Sequence, residues 1–284
     1  MGLNPQSAVG VFHDTQSDSG TCTFIYDTPA LLHRYVSFDG NTIALQQDFS
    51  YSTTWNSYNT AWTSKQTTAT TTDKLRGTQF QTIYTYTPVS SGDPYQPGIT
   101  THPIDTQIAA EQTITYKDVN GAVLKTENKT WYDVRELQAD QVTLDNGLTS
   151  QTAYTYGPGA QVTERDEYDY GAGTPGPLLR KTVYNYQAFA NTAIFPTIAS
   201  IFDRPCQAIT YDGGGTRVAE TDSYYDNGTA LCGATGTPSV SAVSNLTGHD
   251  ETKYGVSASG PRGNRTQASR WLSTGASVST TLFL

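Results

Sequence analysis

Carboxylates crowd into the run ERDEYD, which places Glu164, Asp166, Glu167 and Asp169 almost side by side. In an extended strand alternate side chains share a face, so Glu164 and Asp166 point the same way. Such a pair can hold a cation or, as acid and base, act on a sugar. A glycosidase, however, needs its two carboxyls roughly 5–10 Å apart across a cleft, and neighbours along one strand rarely enclose one. The expectation is a charged face that discourages edge-to-edge pairing. The segment HDTQSDSG brings together His13, Asp14, Asp18 and Ser19, the residue types of nucleophilic hydrolysis. A catalytic triad converges in space and seldom lies side by side in sequence, so a polar loop is the expected reading. GAGTPG, from Gly171 to Gly176, satisfies the spacing of a dinucleotide-binding turn. That chemistry requires a helix to follow, and Pro175, Pro177 and the extended LLRKTVYNY deny it, leaving a hairpin loop. His33, His102 and His249 are scattered, and His249-Asp250-Glu251 reads as a surface turn. No grouping calls for a catalytic residue, a cofactor or a metal.

The composition points to strands. The chain has 284 residues, of which 15% are charged, against roughly 25% in an average soluble domain. Tyr outnumbers Phe by 19 to 9 and joins Thr, Ser and Gly in place of the missing leucines. Aromatic and β-branched residues argue against a disordered acidic chain and for strands. They suit a thin sheet whose faces are half wet. A net charge of −9 with no basic run excludes nucleic acid as a partner. The closest cluster, Arg262, Arg265 and Arg270, is spread among Gly, Asn and Ser. No apolar stretch is long enough for a membrane-spanning helix, and MGLNPQSAVGVFHDT lacks the basic start and apolar core of a signal peptide. Gly2 is followed by Pro5, which disfavours myristoylation. Of the cysteines, Cys22, Cys206 and Cys232, none forms a C-x-x-C pair for zinc. Cys206 and Cys232 flank two expected strands and could close a disulfide in an exported chain. With an odd count and no geometry, three unpaired thiols are the expectation.

The elements that would carry these residues read as β-hairpins. QAITYDGGGTRVAETDSYYDNG alternates with period two, with Ala208, Thr210 and Asp212 on one face and Ile209 and Tyr211 on the other. Three glycines then interrupt it, and an extended run resumes. Similar Tyr-rich strand ends recur as TIYTYTP, TITYKDVNG, TAYTYGPG, RDEYDYGAG and TVYNYQ, most of them closing on Gly. The anchors Tyr156, Tyr170, Tyr186, Tyr211 and Tyr225 are spaced widely enough for a strand, a turn and a return strand. VLKTENKTWYDV and ELQADQVTLDNG form a further hairpin, whose Asn146-Gly147 tolerates positive φ. GNTIALQQDFSYSTTW and AWTSKQTTATTTDK pair around residues 56–59, with Trp55 and Trp62 at the mouth. The expected organisation is an irregular segment over 1–38, hairpins over 39–100 with a Pro-rich loop at 88–103, and repeats over 104–284. The region 227–250 reads as a second long loop. Trp55, Trp62, Trp131, Trp271 and the many Tyr form rows suited to cross-strand packing or to stacking on surface glycans. Four stretches, beginning at Asn128, Asn227, Asn245 and Asn264, fit the N-glycosylation pattern.

In these residues the chain resembles the bacterial Rhs/YD-repeat family, whose mark is a Tyr-Asp step followed closely by Gly. The mark stands as Tyr211-Asp212-Gly213 and as Tyr225-Asp226-Asn227-Gly228. It is degraded in Tyr116-Lys117-Asp118-Val119-Asn120-Gly121 and in Tyr168-Asp169-Tyr170-Gly171. The run PRGNRTQASRWLSTGASVSTTLFL is similar to a repeat that stops before its Tyr-Asp step. The resemblance covers 111–284 best and extends back to Asp39. It implies an all-β fold in which consecutive antiparallel hairpins form a long coiled sheet, a shell or spiral. It implies a non-enzymatic wall or scaffold, part of a larger secreted or cell-surface protein; some members of the family enclose a toxin domain, absent from this chain, and others serve in adhesion or recognition at the cell surface. The partners implied are other parts of that protein and, as alternatives, an enclosed toxin domain or surface glycans. Physically, tyrosine buries a ring with a polar tip, aspartate bonds the turn backbone, and glycine relieves positive φ. Asp93-Pro94 does not sit where the family's segment before the toxin would place it.

Overall fold

The computed structural model describes residues 13–18, 22–27, 30–55, 62–89, 108–133, 136–189, 201–233, 248, 261–273 and 277–281. Every regular element among them is a strand, as β-branched and aromatic residues between Gly- and Asp-bearing turns favour. A separate hairpin pairs β1 (His13–Asp18) with β2 (Cys22–Asp27). The remaining strands are β3 (His33–Ser37), β4 (Ile43–Trp55), β5 (Trp62–Asp73), β6 (Thr78–Val89), β7 (Ile108–Lys117), β8 (Val123–Asp133) and β9 (Glu136–Leu144). They continue as β10 (Leu148–Tyr156), β11 (Val162–Ala172), β12 (Leu178–Phe189), β13 (Ile201–Asp212), β14 (Arg217–Tyr225), β15 (Arg265–Trp271) and β16 (Ser277–Thr281). These fourteen form one open sheet whose hydrogen-bonded order is the order of the chain, from β3 to β16. The expected chain of antiparallel hairpins is therefore observed. GAGTPG lies where β11 turns into β12, so it is a hairpin loop.

By their contacts the residues fall into two compact units, 1–153 with 169–176, and 154–168 with 177–284. In the first, cross-strand partners sort by face. Thr68, Ile83, Thr115, Thr126, Thr143 and Thr149 follow one another across β5 to β10 as one rung. Thr67, Tyr84, Ile114, Glu127 and Val142 form a rung on the opposite face. Its core is small and partly polar, with Ala44, Trp62, Ala69, Ala110 and Ile114 buried beside Thr67 and Thr71. A sheet whose threonines and tyrosines do the burying leaves most strand positions half-exposed, as the composition suggests. Trp55 and Trp62 are register partners at the end of β4 and β5, as read from the sequence, while residues 56–61 and the Pro-rich stretch 90–107 lie outside the described residues.

In the second unit the core gathers Phe189, Cys206 and Tyr225, with Ile201 and Cys232 packed against it. Phe189 and Tyr225 meet edge to face at 5.9 Å between ring centroids. Here the expectation of three free thiols is overturned, because Cys206 and Cys232 form a disulfide with Cα atoms 5.3 Å apart. The chain turns back after β14, and that return brings the two sulfurs together in a way no sequence spacing reveals. Residues 234–247, most of the expected second loop, lie outside the described residues, as do His102, His249 and Ser19.

Candidate functional site: the aspartate joints

The best-matching step of the repeat is built as follows. β13 ends on Asp212, and β14 starts at Arg217. The backbone N–H of Asp212 donates to the Thr216 carbonyl at 2.9 Å, and that of Gly215 to the Asp212 carbonyl at 3.0 Å. The Asp212 carboxylate, through Oδ1, then accepts the N–H groups of Gly214 at 3.0 Å and Thr216 at 2.8 Å. Those amides have no strand partner at the tip, so the side chain replaces the missing ladder. Positive φ is carried by Gly215, at 83°, and not by Gly213. Gly213 answers a different need: a Cβ there would lie 2.0 Å from the Leu178 carbonyl oxygen. Only a residue without a side chain lets the start of β12 pass so close.

The joint between β7 and β8 has the same construction. Asp118 N–H donates to the Ala122 carbonyl at 2.9 Å, and Gly121 N–H to the Asp118 carbonyl at 3.1 Å. Its carboxylate accepts Asn120 N–H and Ala122 N–H, both at 2.8 Å, and Gly121 has φ 83°. In both hairpins the register slips just before the aspartate, at Tyr116/Lys117 and at Thr210/Tyr211. A three-residue loop with a left-handed glycine is a favoured hairpin closure. Two joints separated by several strands thus share the same backbone and carboxylate-to-amide bonds, Asp118 accepting in addition the Asn120 side-chain amide at 3.4 Å.

Two further joints were missed in the sequence because no tyrosine precedes them. Asp39, between β3 and β4, accepts the N–H groups of Asn41 at 2.8 Å and Thr42 at 2.7 Å and the Ser37 hydroxyl at 2.9 Å. Those donors, the Thr42 and Asn41 amides foremost, hold its carboxyl well below the usual range. Asp73, between β5 and β6, accepts Leu75 and Arg76 N–H at 2.9 and 3.0 Å. Its carboxyl is likewise lowered, first by the Arg76 amide. The legible signal would have been any Asp or Asn at a strand end followed closely by Gly.

The other marked steps do different jobs. Tyr168, Asp169 and Gly171 lie inside β11, and the Asp169 carbonyl accepts Gly176 N–H at 2.7 Å where the strand turns back. A Cβ on Gly171 would meet the Thr174 carbonyl oxygen at 2.5 Å, so glycine is needed there for the bend. Asp226 closes no tip. It is fully buried, and its carboxylate accepts three backbone amides from far along the chain. These are Arg262 and Gly263, each at 2.8 Å, and Asn264 at 3.1 Å. Its own N–H donates to the Asn264 carbonyl at 2.8 Å, while Gly228 N–H closes a local turn onto the Tyr225 carbonyl. The tyrosines behave as rings with a working tip: Tyr225 donates to the Pro205 carbonyl at 2.8 Å, and Tyr186 to that of Val162 at 2.9 Å. At Tyr116, the Lys125 ammonium sits 4.2 Å from the ring centre. Burial, followed by the Glu127 charge, pushes the Tyr116 hydroxyl up to about 12.

Three carboxylates of the cluster, Glu164, Asp166 and Glu167, are engaged with cations. Lys181 lies 2.8 Å from Glu164 and 3.7 Å from Asp166, which confirms that those carboxylates share a face. Glu167 pairs with Arg165 at 2.6 Å and with Arg180, and the Arg180 hydrogen bond lowers its carboxyl. Burial pushes the Asp166 carboxyl up, against the pull of Lys181. His33 bonds Asp48 at 2.7 Å. Among the described residues no group of His, Cys, Asp and Glu could hold a metal ion. Three indoles are used within the sheet: Trp62 is buried, Trp131 donates to the Glu111 carbonyl at 2.7 Å, and Trp271 lies under Arg217 at 4.3 Å.

No family model matches the chain, and neither does any curated protein. Among solved structures, a porin-like protein from Bacteroides uniformis ATCC 8492 aligns over 84% of this chain and 88% of its own, at 13% identity and a TM-score of 0.28. A likeness of that size carries no argument, and the description of the fold rests on the strand registers alone.

Proposed function

We propose that the chain is a non-enzymatic segment of an Rhs/YD-repeat protein, exported or displayed at the cell surface, whose work is structural. Its hairpins form wall or scaffold, and the wall encloses a toxin domain supplied by other parts of the same protein. The observation that carries this reading is the equivalence of the Asp118 and Asp212 joints, which is how a repeated building unit is expected to look. The Cys206–Cys232 disulfide supports export, since such bonds persist in oxidising compartments. The pairing of the carboxylate cluster with Lys181, Arg165 and Arg180 favours scaffold over hydrolase.

Fractionation of the producing cells with mass mapping of the thiols tests the proposal. Recovery in the medium or surface fraction is expected, oxidised at Cys206 and Cys232, in a particle whose protease-resistant core retains a second folded domain. Recovery in the reducing cytosol with free thiols and no such domain would overturn it. A glycan-array signal lost on Tyr35→Ala or Tyr132→Ala would instead favour a carbohydrate-binding module, because both rings are exposed.

A further inference from the structure

Between β14 and the start of β15 the chain turns over residues 226–233 and later returns through 261–264, and the two passages are tied to each other and to β13. Within the turn, Asp226, Asn227 and Cys232 have φ values of 51°, 57° and 53°. Asp and Asn tolerate that left-handed region, but cysteine avoids it and stays in it only where surrounding contacts over-determine it. The contacts here are identifiable. Cys232 is held by the disulfide to Cys206 on β13. The carbonyl of Gly233 accepts the Gln187 side-chain amide, and Asn227 N–H donates to the Thr266 hydroxyl at 3.0 Å. Asp226, presented by this turn, is the buried acceptor for the amides of Arg262, Gly263 and Asn264. Arg204, on the same strand as Cys206, donates to the Gly263 carbonyl at 3.2 Å.

We propose that the Cys206–Cys232 disulfide and the Asp226 carboxylate form one redox-sensitive latch at the β14–β15 junction, and that Cys232 is the sulfur through which a thiol opens it. The two sulfurs are unequally placed. Cys206 is 0% exposed, in the pocket of Phe189, Tyr225 and Ile201, whereas Cys232 is only half-buried on the turn. An attacking thiolate, from glutathione or a protein dithiol, therefore bonds to Cys232 Sγ. The Sγ–Sγ bond breaks, and its electron pair leaves on Cys206 Sγ, which takes up a proton in its apolar pocket. A second thiol then releases Cys232 as a free thiol and carries away the attacking group as its own disulfide. Opening removes the tie that keeps Cys232 left-handed, the turn relaxes, and Asp226 is withdrawn from the three amides it serves. This inference is independent of the proposed scaffold role.

The experiment uses the full chain carrying Cys22→Ser, so that only the two latch sulfurs report. Brief exposure to oxidised and reduced glutathione, followed by peptide mass mapping, is expected to place the adduct on Cys232. Adduct mainly on Cys206 would overturn the assignment of the attacked sulfur. Amide hydrogen exchange is then followed over residues 261–266 with and without a strong dithiol reductant. Reduction is expected to speed exchange at Arg262, Gly263 and Asn264 at least tenfold while leaving β4 to β6 unchanged. Cys232→Ser should show the fast rates without reductant and no further response. Unchanged exchange at 262–264, or loss of the whole strand spectrum on reduction, would sink the latch.

Discussion

Removing the Asp212 carboxylate leaves the Gly214 and Thr216 amides without an acceptor at the hairpin tip. Asp212→Ala is expected to lower stability by about 1–2 kcal/mol, as loss of a side-chain cap does elsewhere. Asp118→Ala should cost the same, because its bonds to backbone amides are the same. Urea midpoints would check both, and unequal losses would break the equivalence of the joints. Asp226→Ala strands three amides, that of Gly263 buried and those of Arg262 and Asn264 partly so, and a larger loss is expected, on the order of 3–5 kcal/mol. The carboxylates also divide by their response to acid. Asp39, Asp48 and Asp73 are lowered, Asp48 first by the Gln46 amide and then by His33. The stability they give is present above about pH 4 and is lost as pH falls toward their folded values. Asp140 and Asp222 are raised by burial and then by Glu127 and Glu220 respectively, and Asp166 by burial against the pull of Lys181. Their contribution is complete below about pH 4 and is lost as pH rises through the raised values. Asp140→Asn should therefore stabilise at pH 7 and leave stability at pH 3 nearly unchanged. An equal loss at both would show that its charge is not what burial opposes.

At the scale of the element, the hairpins were legible because period-two alternation broken by Asp, Asn and Gly has few other solutions. QAITYDGGGTRVAETDSYYDNG reads as β13, turn and β14 on local grounds alone. What the local string could not distinguish was the role of its second Tyr-Asp step. Asp212 and Asp226 sit in nearly the same words, yet Asp226 serves residues 262–264, and only the return of the chain decides that. The disulfide was hidden for the same reason. Asp39 and Asp73 fall outside the mark because no tyrosine precedes them, whereas the physical requirement is a carboxylate beside unpaired amides. β3 raises a separate expectation, since it ends the strand order and exposes Tyr35 by 54%, with Leu31, Leu32 and Phe38 also open to solvent. An open apolar edge invites pairing. Tyr35→Lys is expected to reduce self-association, read as a lower light-scattering mass at high concentration. An unchanged mass would show that this edge is not where copies meet.

Across the described residues, strands touch chiefly their neighbours in sequence, and the buried apolar side chains are few. Stability in such an array is close to a sum of unit and nearest-neighbour contributions. Thermal unfolding is accordingly expected to depart from two-state behaviour, with a calorimetric enthalpy larger than the van't Hoff value. Agreement of the two enthalpies would mean longer-range coupling than the contacts provide.

The strand order also fixes how the sheet would answer to force. Hydrogen-bonded neighbours in the sheet are also neighbours along the chain, so tension on the chain peels hairpins open and ladder bonds rupture one pair at a time, as a zipper opens, rather than all together in shear. Extension should proceed at low force in hairpin-sized steps. The Cys206–Cys232 bond spans 26 positions, and while oxidised it withholds that stretch of chain, about 90 Å at roughly 3.5 Å per residue. A pulled molecule would thus be shorter by that length until a thiol reached Cys232, making its final extension a direct record of the redox state it had met.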